Sequence, residues 1–259
     1  MHYRVLGLAL AALASLNGAD SKPDPSEAEI QTIIEKFAAK EAEFARAREN
    51  YTYRQTFRIQ ELSETGRVIG KHEMVSDIIF SPEGKRTERV VYAPVSTLKN
   101  LLLTPEDEQD LRNVQPFVLT TNELPKYHIR YLGRQMVDEI SCYVFAVKPK
   151  KLEPGQRYFQ GQIWVDDRDL QIVKTYGRGV GLLKKNSDNQ FPKFETYREQ
   201  IDGKYWFPTY TRADDVLVFQ SGLRQPIRMI VRYEDYKQFK AEAEVKYGEP
   251  VENKPPPKP

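Results

Sequence analysis

From Tyr51 to Leu62 the chain alternates. Tyr51, Tyr53, Gln55, Phe57 and Ile59 fall on one side, and Thr52, Arg54, Thr56, Arg58 and Gln60 on the other. A period of two predicts a strand with one apolar face. Just before it the period changes. Ile30, Ile33, Ile34, Phe37, Ala38 and Phe44 recur at helical spacing, with Glu35, Lys36, Lys40, Glu43 and Arg46 opposite, which predicts an amphipathic helix from Ser26 to about Arg48. Ser26-Glu27-Ala28-Glu29 is a capping box, in which the serine oxygen and the Glu29 carboxylate satisfy free amides of the first turn. After the first strand, Val68, Gly70, His72, Met74, Ser76, Ile78 and Phe80 share one side of a strand from Arg67 to Phe80, and Arg86 to Tyr92 is a third. The turns Glu64-Thr65-Gly66 and Ser81-Pro82-Glu83-Gly84 join them. Strands linked so tightly have no room for a crossover and must be antiparallel.

Pro94 to Pro125 breaks the alternation. Thr97 to Leu103 is apolar and helix-compatible, Thr104 caps a helix with Pro105 at its first position, and Phe117 to Leu124 is a further apolar piece. This segment predicts a helical insertion that turns Leu101, Leu102, Leu103, Leu111, Phe117, Val118 and Leu119 inward. Pairing then resumes with a hairpin of Tyr127–Gln135 and Ile140–Lys148. In Tyr158 to Gly181, Phe159, Gly161, Ile163 and Val165 face one way and Tyr158, Gln160, Gln162 and Trp164 the other. Asp166-Asp167-Arg168-Asp169 reverses that chain, and Leu170, Ile172 and Tyr176 resume the apolar face. A hairpin of Lys193–Ile201 and Lys204–Arg212 closes on Asp202-Gly203, read as a two-residue turn, and Val216–Gln220 and Pro226–Tyr236 are the last strands. The result is a mainly β protein with helices (α+β), built on an antiparallel sheet of about eleven strands.

At 259 residues, 40% of them apolar, the chain can bury a large core without staples. It has one cysteine, Cys142, inside an apolar strand, so no internal disulfide is possible and the thiol reads as a small hydrophobe. The fifteen tyrosines suit half-wet sheet faces. Acids and bases almost cancel at +2, and the basic residues alternate with acids, which argues against a nucleic-acid surface. The N-terminus changes the picture more. Basic Met1–Arg4 precedes the twelve-residue apolar run Val5–Leu16, with small residues at Gly18 and Ala19. That is the pattern of a signal peptide, residues 1–19, and it is too short for a comfortable bilayer span, which needs about 20 residues. The expected organisation is therefore an exported chain: a linker at 20–25, one domain at 26–239, and a charged, proline-rich tail at 240–259 ending KPPPKP. Once the signal is removed, no stable membrane span is expected.

No catalytic set emerges. His72 and His128 lie in separate strands without metal-ligand spacing. Asp166, Asp167 and Asp169 lack the EF-hand spacing and its terminal Glu, and read as a turn. Gly177-Arg178-Gly179-Val180-Gly181 lacks the strand-to-helix setting of a nucleotide loop. There is no Gly-x-Ser-x-Gly elbow. Neither enzyme activity, nor a metal, nor a cofactor is expected.

A long first helix after an export signal, a three-strand meander, a helical insertion, GQIWVDDRDLQIVKTYG and a closing RYEDYKQF make an order that resembles the LolA/RseB-like superfamily, over roughly Ser26 to Phe239. That superfamily comprises periplasmic outer-membrane lipoprotein-sorting carriers and related proteins. The resemblance implies an unclosed β-barrel whose concave side is plugged by helices and, in the carriers, holds acyl chains. No motif here places the arginine that latches the carriers' lid. On this reading Tyr53, Phe57, Ile59, Met74, Ile78, Phe80, Trp164 and Trp206 are candidates for the ligand cavity, and Leu101, Leu102, Leu103 and Phe117 for its lid; ordinary core packing is the alternative for each. The expected function is a periplasmic carrier or sensor of lipid or lipoprotein acyl chains. The alternative is an envelope protein-interaction or regulatory module on the same fold, whose convex face or tail binds a protein partner.

Overall fold

The structure is a computed structural model that describes residues 24–81, 84–182 and 191–239. The signal and tail expectations therefore lie outside the described residues.

Helix α1 spans Glu27–Ala47. Ser26 caps it as anticipated, accepting from the Glu29 amide while its own amide donates to the Glu29 carboxylate at 2.8 Å. The apolar stripe buries Ile34, Phe37, Ala38 and Phe44. Ten strands follow: β1 (Tyr51–Leu62), β2 (Val68–Phe80), β3 (Arg86–Tyr92), β4 (Tyr127–Val137), β5 (Ile140–Pro149), β6 (Tyr158–Asp166), β7 (Ile172–Val180), β8 (Phe194–Gln200), β9 (Trp206–Val218) and β10 (Arg224–Gln238). They form one antiparallel sheet in the order β3-β2-β1-β10-β9-β8-β7-β6-β5-β4. Its edges β3 and β4 do not pair with each other, so the barrel is unclosed. The N- and C-terminal strands β1 and β10 meet inside the sheet as its third and fourth strands, paired from Tyr51 opposite Gln238 to Glu61 opposite Ile227 with one bulge between Thr52 and Arg54.

Three expectations need correction. There are ten strands, because 206–218 run as one: β10 is long enough to pair with all of β9 from Tyr210 to Val218, so the predicted break after Arg212 never opens. The Asp202-Gly203 turn is wider than two residues, with Gln200 opposite Trp206. Asp202 is drawn into other bonds, accepting from the amides of Lys204 and Tyr205 and, at 2.5 Å, from the Tyr51 hydroxyl. Finally, residues 97–103 are not helical. The amides of Lys99, Asn100 and Leu101 all converge on the fully buried Glu61 carboxylate at 2.6–2.8 Å, and this bends the segment across the sheet end. The insertion's helix is α2 (Pro105–Gln109), capped by Thr104 and continued by one π turn, Asp110–Val114.

The concave side carries the main core. Phe37 of α1 meets Phe145 at 5.4 Å, and Phe117 of the insertion stacks on Phe159 at 4.6 Å. Ile163, Ile172 and Val231 are sealed beneath them. On the other side of the sheet, Cys142, Val144, Trp164 and Val173 form a separate small cluster, with Trp206 against it.

Candidate functional site

At one end of the sheet, where β1, β7 and β9 finish and β2, β8 and β10 start, the concave side is not filled. A cavity of about 230 Å³ opens between the sheet and the insertion. Alternation along the strands supplies its floor: Phe57 and Ile59 from β1, Leu217 and Phe219 from the end of β9, and Met229 from β10. Leu101, Leu103 and Leu111 of the insertion form its roof. The lining is mainly apolar, with Asn100, Thr104, Asp107, Asp110 and Gln115 as polar points.

Two of those points are unusual. Asp110 makes a two-pronged ion pair with Arg157, Nε to Oδ1 at 2.8 Å and Nη2 to Oδ2 at 2.6 Å, with both side chains almost fully buried. Burial pushes the Asp110 carboxyl up to about 6, against the opposing pull of Arg157. Arg157 also lies over the Phe191 ring, 3.8 Å from its centroid. Asp107, whose carboxylate closes the Thr104 cap, is likewise raised by burial. This pair ties the roof to the β5–β6 connection, one residue before β6. Only glycine fits beside it, because a Cβ on Gly179 would overlap the Asp110 carboxylate. Gln115 is the second point. Its side-chain oxygen is buried at the cavity wall and has no hydrogen-bond partner among the described residues.

A second buried pair holds the other end of the insertion. Arg198 of β8 donates from Nη1 to both oxygens of Glu41 on α1, at 3.1 and 3.2 Å, and from Nη2 to the Phe117 carbonyl. Glu41 also accepts the Ile172 amide at 3.1 Å. One guanidinium thus joins helix, sheet and insertion.

The sequence-derived candidates divide by place. Phe57, Ile59, Leu101 and Leu103 line the cavity. Leu102 borders it but turns outward, 85% exposed, against the inward orientation expected for it. Tyr53 and Phe80 instead line a second cleft, beneath the end of α1 with Phe44 and Tyr236. Ile78 is fully buried opposite Tyr53, and Met74 is half-buried opposite Phe57; neither lines the cavity. Phe117 is part of the core rather than the cavity roof. Trp164 and Trp206 lie in the cluster on the opposite side of the sheet. The alternation of β6 already set Trp164 against Ile163, and Trp206 likewise sits against the buried Phe207 of α1's own contact cluster. Sequence reading missed Leu217, Phe219 and Met229, which the same alternation in the last two strands offered. It also missed Asp110–Arg157 and Glu41–Arg198, which no spacing signals because the partners are 47 and 157 residues apart.

Among the described residues no group of three or more His, Cys, Asp or Glu side chains could hold a metal, and no helix is long and apolar enough to cross a membrane.

No family model matches the chain, and no curated protein does. Among solved structures it is similar to a DUF1329 family protein from Desulfovibrio piger, at 13% identity and a TM-score of 0.43, covering 81% of this chain and 92% of that one. It is similar to a LolA superfamily protein from Nitrosomonas europaea, at 13% identity and a TM-score of 0.36, covering 81% and 93%. It is similar also to a putative outer membrane lipoprotein-sorting protein domain from Vibrio parahaemolyticus, at 12% identity and a TM-score of 0.36, covering 79% and 93%. The superfamily that the order of elements resembles is represented among these structures.

Proposed function

We propose that the protein is a non-enzymatic carrier or sensor that takes up a single acyl chain in the cavity between the sheet end and the insertion. The observation that carries this is a mainly apolar hollow left open beneath the leucines of the insertion, on the core side of the sheet. The cavity's 230 Å³ is below the ~300–1,000 Å³ of sites for drug-sized ligands. It suits part of one chain and not a multi-chain anchor. Burying eight methylenes would contribute about 6 kcal/mol, the scale of a complex of some tens of micromolar before ordering costs. Native mass spectrometry of protein taken from its host envelope, with uptake of a fluorescent fatty acid, tests the reading. Expected is a lipid-mass adduct and saturable uptake that Leu217→Trp reduces. Ligand-free protein that takes up no fatty acid would refute it.

An interaction module on the same fold is the second reading. The feature that favours it is the free edge β3, where Val90, Val91 and Tyr92 are each about half exposed. An edge strand of this kind, paired on one side only, can accept a partner's strand.

A further inference from the structure

We propose that the cavity-mouth end of the molecule docks on the surface of an anionic phospholipid bilayer. Vesicle binding of this kind is separate from ligand uptake, since it requires no occupant in the cavity.

The first observation is that five of the exposed large apolar side chains gather at this end. Val68 and Ile69 begin β2, Val218 ends β9, Leu223 lies in the β9–β10 turn, and Leu102 projects from the insertion; they are 37–85% exposed. Hydrogen bonds show that these pieces are neighbours. Gln225 donates to the Leu62 carbonyl at 3.0 Å and accepts from Asn100 Nδ2 at 2.6 Å. Leu62 is opposite Val68, and Val218 is opposite Arg224. The apolar residues thus stand on the tips of three adjacent segments around one mouth.

The second observation is charge. Arg67, Lys71, Lys99 and Arg224 are interspersed among those tips, all exposed, and none forms an ion pair among the described residues. Against them stand the acids Glu64, in the β1–β2 turn, Glu106, at the start of α2, and Glu73 of β2, which pairs with Arg58 and also feels Lys71. At the other end of the sheet acids predominate: the described residues of the turns there carry Asp138, Glu139, Asp167, Asp169 and Asp202, against Lys85, Arg168 and Lys204. Long basic side chains whose stems lie along apolar neighbours and whose heads reach outward fit a headgroup layer. The apolar tips then enter the interface just below it.

The third observation is continuity. Leu102 belongs both to the exposed tips and to the cavity border. A mouth seated on a bilayer is sealed from water at its rim, so a hydrocarbon chain can pass between membrane and cavity without being hydrated. Placed anywhere else, the same mouth would expose the passing chain to water.

The test is co-sedimentation of protein from the host envelope with phosphatidylcholine vesicles, with and without phosphatidylglycerol. Expected is binding to the phosphatidylglycerol-containing vesicles that weakens as salt rises. At about fivefold per basic residue, Lys71→Gln with Arg224→Gln should lower the partition roughly 30-fold. Leu102→Asp and Val218→Asp should each abolish most of what remains. All four sites are exposed, so thermal melting should be unchanged. Met136→Asp, 62% exposed at the far end, should bind as the parent does. The proposal is overturned by failure to sediment with anionic vesicles, or by mouth variants that bind like the parent. It is also overturned by a concentration-dependent dimer that the mouth variants abolish, which would make a second copy the occupant.

Discussion

Replacing Arg198 by methionine tests the idea that one buried cation holds three elements together. In the parent the Glu41 side chain is 0% and the Arg198 side chain 1% exposed. The Arg198→Met change therefore strands a carboxylate with no access to water and leaves only the Ile172 amide as its donor. Removing one partner of such a pair costs about 3–5 kcal/mol, a large share of the ~5–15 kcal/mol that holds a typical domain. The unpaired Phe117 carbonyl adds about 1–3 kcal/mol. If the stranded charge is the main cost, Glu41→Gln in the same molecule should recover about 2 kcal/mol or more, because a Gln oxygen still accepts from Ile172 and carries no charge. Urea unfolding of parent, both single variants and the double variant, at constant slope, gives the cycle. Acidity supplies a second readout. Burial already raises the Glu41 carboxyl above its ordinary 4.5 in the parent, and loss of Arg198 raises it further. A group raised on folding stabilises most fully below its unfolded value, and that stability is lost as pH rises through the folded value. The deficit of Arg198→Met should thus shrink as pH falls from neutral towards 4.5, while the double variant shows no such trend. A double variant as unstable as Arg198→Met, with a flat pH profile in both, would refute the reasoning.

Three other outcomes follow from the site. Asp110, raised from 3.8 to about 6, should stabilise the protein most below pH 4 and lose that stability as pH rises through 6; the difference between parent and Asp110→Asn should fall by on the order of 3 kcal/mol over that window, and pH-dependent unfolding that shows parallel curves would contradict it. Gly179→Ala should lower stability by about 1–3 kcal/mol through its overlap with the Asp110 carboxylate, and should also disturb the Arg157 pair, which thermal melting of both this variant and Asp110→Asn would expose as a non-additive loss. Both tryptophans, Trp164 and Trp206, lie across the sheet from the cavity, so fatty-acid uptake should leave their emission wavelength nearly unchanged; a marked shift would place the ligand on the other side.

Much of the fold was legible in local pattern. The capping box at Ser26, the period of α1, the bounds of β1 and β3 and the Thr104-Pro105 helix start all depend on residues within a few positions of one another, where propensity and hydrogen bonding act without help from the rest of the chain. The alternation in β6 also separated Trp164 from Ile163, although Trp164 stood among the cavity candidates as apolar surface that could line a concave face. What the sequence could not disclose was which apolar residues meet an empty space. Phe57 and Met74 face each other across two strands, yet only Phe57 reaches the cavity, because that depends on where the insertion lies over the sheet. The course of the insertion is set by contacts between residues far apart in the chain: Glu61 gathers the amides of 99–101, Arg157 grips Asp110, and Arg198 grips Glu41 and the Phe117 carbonyl. Local periodicity determines that a face is apolar; only the closing of such long-range polar bonds over it decides whether that face is packed solid or left open.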